Sequence, residues 1–130
     1  MPKSVAKTKG RATYKQFMGI PKQVLESDSY KLLNAWSVKV IVDIAKQFNG
    51  NNNGDLCASW SIMKDQGWKS PSTLNKAVIE AQERGFIVLT RQGGRNKASL
   101  YGVTWYPIDD CKGKLDVKPT TTASNLWKQN

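Results

Sequence analysis

The chain contains no histidine, only two cysteines, Cys57 and Cys111, and no apolar run near the length of a membrane span. Each absence removes a class of function. Without imidazole there is no His-based metal site of the kind that serves a nucleophilic tyrosine in DNA nicking, and two thiols alone make a poor zinc site. One cysteine pair cannot staple a small secreted fold, so a reducing, cytoplasmic compartment is the expectation. A span needs roughly 18 apolar residues, and no signal-peptide-like run lies near the N-terminus, so no membrane partner is expected. No catalytic residue, metal or cofactor is expected either.

Acids are also scarce in two places. Residues 1–22 hold Lys3, Lys7, Lys9, Arg11, Lys15 and Lys22 with no Asp or Glu, and none lies between Glu83 and Asp109. Over 130 residues, 20 Lys and Arg against 10 Asp and Glu leave a net charge of +10. A charge of that sign bears on partners rather than on fold, because it concentrates anions and favours nucleic acid. The hydrophobic fraction of 39% supplies a modest core, and the length suits one domain. The expected organisation is a flexible basic arm at 1–18, a folded domain at 19–115 and a loosely attached polar tail at 116–130, on which Trp127 is the one residue placed to dock. The arm reads equally well as a solubilising tail.

Within the domain, "GIPKQVLE" reads as an extended lead-in with Ile20 and Val24 packing inward, followed by a helical turn capped by Ser27 or Asp28, with Tyr30 and Leu33 facing the core. Val38, Ile41, Val42, Ala45 and Phe48 recur at helical spacing, widened by Val40 and Ile44. They predict a central helix capped by Asn34 and stopped by "NGNNNG". "DLCAS" predicts a short strand with Leu56 and Ala58 on one face. Ser59 then caps a helix of about two turns that ends at Gly67. Ser70 and Pro71 open the next helix, over 70–84, with Leu74, Ala77, Val78 and Ala81 buried and Gly85 as its end. The two helices joined by "GWKS" have helix-turn-helix spacing. "FIVLTRQ" and "SLYGVTWYPI", joined by "GGRNKA", predict an antiparallel hairpin. The predicted fold class is therefore mainly α with a small β-hairpin, in the order of a winged helix-turn-helix.

In that arrangement the outer face of the second motif helix enters the major groove. It presents Ser72, Thr73, Asn75 and Lys76, with Ile79 and Glu80 further along. These are mostly short donors and acceptors suited to bases and phosphates. Taken alone, the same face is what any solvated helix shows. Lys69 and Ser70 at the helix start add free N–H groups and positive potential for a phosphate. The hairpin adds Arg91, Arg95, Asn96 and Lys97. With Lys7, Lys9 and Arg11 of the arm, these form the candidate DNA-binding set. Of five tryptophans, Trp36, Trp60 and Trp105 are expected in core or seam positions, and Trp68 is expected to be partly exposed. Asp109, Asp110 and Lys112 in "DDCK" loosely match a nuclease metal-site pattern, but no second acidic cluster accompanies them.

The run "LCASWSIMKDQGWKSPSTLNKAVIEAQERGFIVLTRQGGRNKASLYGVTWYPIDDCKGKLD", preceded by "QFNGNNNGDL", resembles the winged helix-turn-helix proteins of proteobacterial phages and mobile elements. It is more distantly similar to the N-terminal domains of phage and plasmid replication initiators. The likeness covers about residues 20–118, with "NGNNNGDL" and "YPIDDCKGKLD" its most specific pieces, and no catalytic residue carries over. It implies a winged helix that binds double-stranded DNA and regulates transcription or replication initiation. The competing expectation is a protein-binding module, such as a phage-encoded inhibitor or adaptor of a host nucleic-acid machine. Oligomeric state stays open, with a homodimer among the options, since no heptad pattern marks a dimer helix.

Overall fold

The computed structural model describes residues 17–129. The arm cations Lys7, Lys9 and Arg11 lie outside that range. Among the described residues two short helices come first, α1 (Lys22–Leu25) and α2 (Asp28–Lys31). The lead-in is thus helical from Lys22 on, where an extended segment is expected from sequence, because Pro21 sets the backbone for a first helical turn. Val24 is buried as expected. Ser27 is the cap of α2, its hydroxyl accepting the Tyr30 N–H at 3.1 Å.

The central helix α3 (Ala35–Ala45) starts at Asn34, whose side chain accepts the Trp36 N–H at 2.9 Å. Its buried face is rotated from the expected stripe. Ser37, Val40, Ile41, Ile44 and Ala45 point inward with Asp43, while Val42 is exposed and Val38 only half-buried. The two polar members, Ser37 and Asp43, hid this face from a hydrophobic count. Phe48 lies beyond the helix and stacks on Tyr106 at 4.7 Å between ring centroids.

After the Asn-rich loop, β1 (Leu56–Cys57) leads into α4 (Trp60–Met63), which tightens into a 3₁₀ turn (Lys64–Gln66). Gly67 ends it with φ 92°, a conformation that favours glycine. Helix α5 (Pro71–Glu83) has Ser70 as cap and buries Leu74, Ala77, Val78 and Ala81, as its period predicts. Strands β2 (Ile87–Arg91) and β3 (Leu100–Val103) form the hairpin, and β1 pairs with the far side of β3, making an antiparallel sheet in the order β1-β3-β2. The result is a small α+β domain in which α3 packs on α5 and both pack on the sheet. Phe86, Ile44, Leu56 and Met63 are fully enclosed at its centre. Among the described residues no helix is long and apolar enough to cross a membrane.

Asn53 is the polar centre of this packing and is fully buried. Its side-chain amide donates to the carbonyls of Val103, Tyr106 and Pro107 at 2.9–3.2 Å and accepts the Val103 N–H at 2.8 Å. Its own N–H donates to the Asp109 carboxylate at 2.7 Å, and its carbonyl accepts the Asp109 N–H at 2.9 Å. The loop that reads in sequence as a helix stop therefore clamps the end of β3 and the segment after it.

The C-terminal segment, expected to be loosely attached, is laid across the domain. Asp116 N–H donates to the Thr90 carbonyl, the Asp116 carboxylate accepts the Gln92 N–H, and Asn125 N–H donates to the Thr104 carbonyl, each at 2.8 Å. Trp127 is buried, and its carbonyl accepts the Ser29 hydroxyl at 3.0 Å. Gly85, at φ 85°, leaves the room for this crossing: a Cβ there would lie 2.5 Å from the Leu126 carbonyl oxygen. Polar composition concealed the docking because backbone groups, short polar side chains and one indole make it.

Candidate nucleic-acid interface

The sequence places Ser70 and Pro71 at the start of α5, and the local chemistry follows from them. Pro71 has no N–H to leave unpaired, and the Ser70 hydroxyl accepts the Thr73 N–H at 3.3 Å. Lys69, Ser72, Asn75 and Lys76 are exposed beside this start, and Thr73 is half-buried. The turn before it is fixed from inside the protein. The Trp68 indole N–H donates to the buried Asp43 carboxylate at 2.9 Å. Lys39 bridges the same carboxylate at 3.0 Å and donates to the Gln66 carbonyl at 2.7 Å.

This corrects the expected roles of two tryptophans. Trp68 is 2% exposed, and Trp36, expected in a core or seam position, is 45% exposed. The buried acid on α3 draws Trp68 inward. Trp36 lies off the buried face that Ser37, Val40, Ile41 and Ile44 define. Trp60 is half-buried and Trp105 buried.

The outer face of α5 divides between two hollows. Asn75 leans toward the hairpin and lines a cleft of about 260 Å³ with Ser59, Trp60, Ser99 and Tyr101. Its walls carry no charged side chain. Burial, and then the nearby Cys57, raise the Tyr101 phenol above its ordinary pKa, so it stays a neutral donor. On the opposite flank, Thr73 and Lys76 border an open depression of about 310 Å³ with Asn34, Trp36, Ser37 and Glu80. Ile79 lies exposed between the two flanks.

Glu80, expected on the open face, is turned to the α3 start. Its carboxylate accepts the Ser37 hydroxyl and the Asn34 N–H. These two bonds, the Ser37 one first, hold its pKa below the ordinary value. An acid from α5 thus caps α3, where the helix dipole also favours negative charge.

The hairpin is shaped by a bulge. Leu89 faces Tyr101 and Arg91 faces Leu100, leaving Thr90 as the extra residue. Thr90 is buried, and its hydroxyl donates to the Gly54 carbonyl at 2.5 Å. Arg91 is folded back, its guanidinium donating to the Ala98 carbonyl at 2.8 Å, so it braces the hairpin base. Gly94 and Lys97 exchange backbone hydrogen bonds around a two-residue tip of Arg95 and Asn96. Asn96 takes the left-handed conformation at φ 59°. Arg95, Asn96 and Lys97 are all exposed.

Of the candidate set, the fold brings Lys69, Ser70, Ser72, Thr73, Asn75 and Lys76 together at the start of α5. Arg95, Asn96 and Lys97 gather at the hairpin tip, with Arg91 tied down behind them. The cleft residues Ser59, Trp60, Ser99 and Tyr101 escaped sequence reasoning because they come from two segments about 40 residues apart with no shared period.

The "DDCK" stretch has a structural use. Asp109 holds Asn53, Asp110 is exposed and Lys112 sits at φ 58° in a turn. Cys57 and Cys111 are unpaired. Burial, then Asp55 and Asp109, raise the Cys111 thiol above its ordinary pKa, away from a reactive thiolate. Comparison with family models, with curated proteins and with solved structures finds no match to this chain.

Proposed function

We propose that this protein binds double-stranded DNA as a winged helix-turn-helix, with α5 in the major groove and the β2–β3 hairpin as the wing on the backbone or in the minor groove. The N-terminal arm adds phosphate contacts. One observation carries the reading: exposed cations from separate parts of the sequence, Lys69 just before α5, Lys76 on its outer flank and Arg95 and Lys97 at the hairpin tip, accompany a cleft between α5 and the hairpin whose walls are uncharged. A duplex needs that pattern, with phosphates held at the edges and neutral donors and acceptors at the bases. The acid nearest Lys76 in its depression, Glu80, is committed to α3.

A role in transcription or replication initiation on a phage or mobile element rests on the resemblance alone. The two motifs that carry it meet through the Asn53 and Asp109 bonds. They therefore speak for a shared fold rather than a shared target. The test is binding of labelled duplex across a salt series, followed by selection from a random duplex library. Affinity should fall steeply with salt, and Arg95→Ala and Lys97→Ala should each flatten the log–log slope by about one unit. Salt-insensitive or absent duplex binding, with a tight complex formed instead with one host protein, would assign the surface to the inhibitor or adaptor reading.

A further inference from the structure

We propose that Trp36 is a second anchor on the duplex, gripping the sugar-phosphate backbone on the flank of α5 opposite the hairpin. The proposal rests on the reading of α5 as the groove-facing helix. Trp36 is the most exposed of the five tryptophans at 45%, against 2% for Trp68, 7% for Trp105 and 6% for Trp127, with Trp60 half-buried. It is also held in place. Its ring lies 5.3 Å from that of Trp68 between centroids, and Trp68 is locked by its hydrogen bond to Asp43. A rigid indole kept at the surface has given up the packing available to its neighbours. Its amphipathic ring suits a partner that offers both apolar edges and acceptor oxygens.

The surroundings set the charge of that partner. Trp36 shares its depression with Thr73 and Lys76. Exposed Lys69 follows Trp68 in the chain, while the Lys39 ammonium, 5.7 Å over the Trp68 ring, is already paired with Asp43. The one acid lining the depression, Glu80, has its carboxylate on the Asn34 N–H and the Ser37 hydroxyl. Deoxyribose against the indole face and a phosphate oxygen beside Lys76 fit this arrangement. A neutral ring on the backbone holds any sequence alike and reads none.

Acrylamide quenching of the full chain gives the first test. In the free protein the Trp36 share of the fluorescence should be quenched readily, saturating duplex should shield it, and Trp36→Phe should remove most of the shieldable component, half-buried Trp60 in the cleft supplying the rest. The same substitution keeps a ring against Trp68, so the melting temperature should stay near that of the wild type, and affinity for a preferred and a scrambled duplex should drop by about fivefold to tenfold alike. Duplex binding that leaves quencher access to Trp36 unchanged would overturn the anchor and leave the DNA reading standing. Absence of any duplex binding would remove both. Shielding that appears without DNA and grows with protein concentration would also overturn it, giving the face to a second copy of the chain.

Discussion

Asn75 and Lys76 are neighbours in sequence but lean to opposite flanks of α5, and this separation makes reading and holding distinguishable. An Asn amide can pair with adenine through two hydrogen bonds, a contact worth roughly 1–3 kcal/mol of discrimination. Asn75→Ala should therefore relax preference at one or two base pairs while leaving non-specific affinity nearly intact. Lys76→Ala should weaken all duplexes alike and lower the salt slope. Preferred and scrambled duplexes at one salt concentration check both. Equal losses in the two variants would mean that this helix does not read bases. Glu80 makes a separate prediction about pH. Its folded-state pKa is depressed, so its contribution is present above the ordinary glutamate value of 4.5 and is lost as pH falls through the lowered native one. Glu80→Gln should lower stability by about 1 kcal/mol at neutral pH, the usual scale for a weakened helix cap. It should also shrink the acid-induced loss, so thermal melts of the two proteins should converge as pH drops below that value.

At the level of elements, the buried stripe of α5 was legible in full and that of α3 only in part. The four buried residues of α5 repeat at helical spacing with nothing polar among them, whereas α3 turns Ser37 and Asp43 inward to meet Glu80 and Trp68. A hydrophobic period cannot register polar groups whose burial depends on partners elsewhere in the chain. Ile41 and Leu74 belong to the stripes read from sequence and are both 5% exposed. Ile41→Ala and Leu74→Ala should each cost roughly 2–5 kcal/mol in denaturant unfolding, the range for emptying a buried aliphatic site. A cost below about 1 kcal/mol at either position would contradict the packing of its helix. The hairpin shows the same division. Glycines and β-branched residues announce the turn and strands, but the bulge at Thr90 depends on the Gly54 carbonyl it reaches.

Across the whole molecule, the C-terminal segment belongs to the folded unit. Trp127→Ala should cost about 3 kcal/mol in thermal or denaturant unfolding, as loss of a buried indole does, whereas a loosely attached tail would give a change within about 0.5 kcal/mol. Deleting residues 1–16 removes five cations and no acid, so duplex affinity and its salt dependence should both fall, as a binding titration would show. Helix caps and the glycine punctuation act through each residue's own chemistry or its near neighbours, so composition and spacing alone decided the order of elements and the buried face of α5. Asn53, Trp36, Trp68 and Trp127 were decided otherwise. Each took its place from a partner more than 20 residues away: Val103 and Asp109 for Asn53, Asp43 for Trp68, Trp68 in turn for Trp36, and Ser29 for Trp127. Burial of a polar or aromatic side chain depends on whether such a partner arrives, and only the folded chain brings it there.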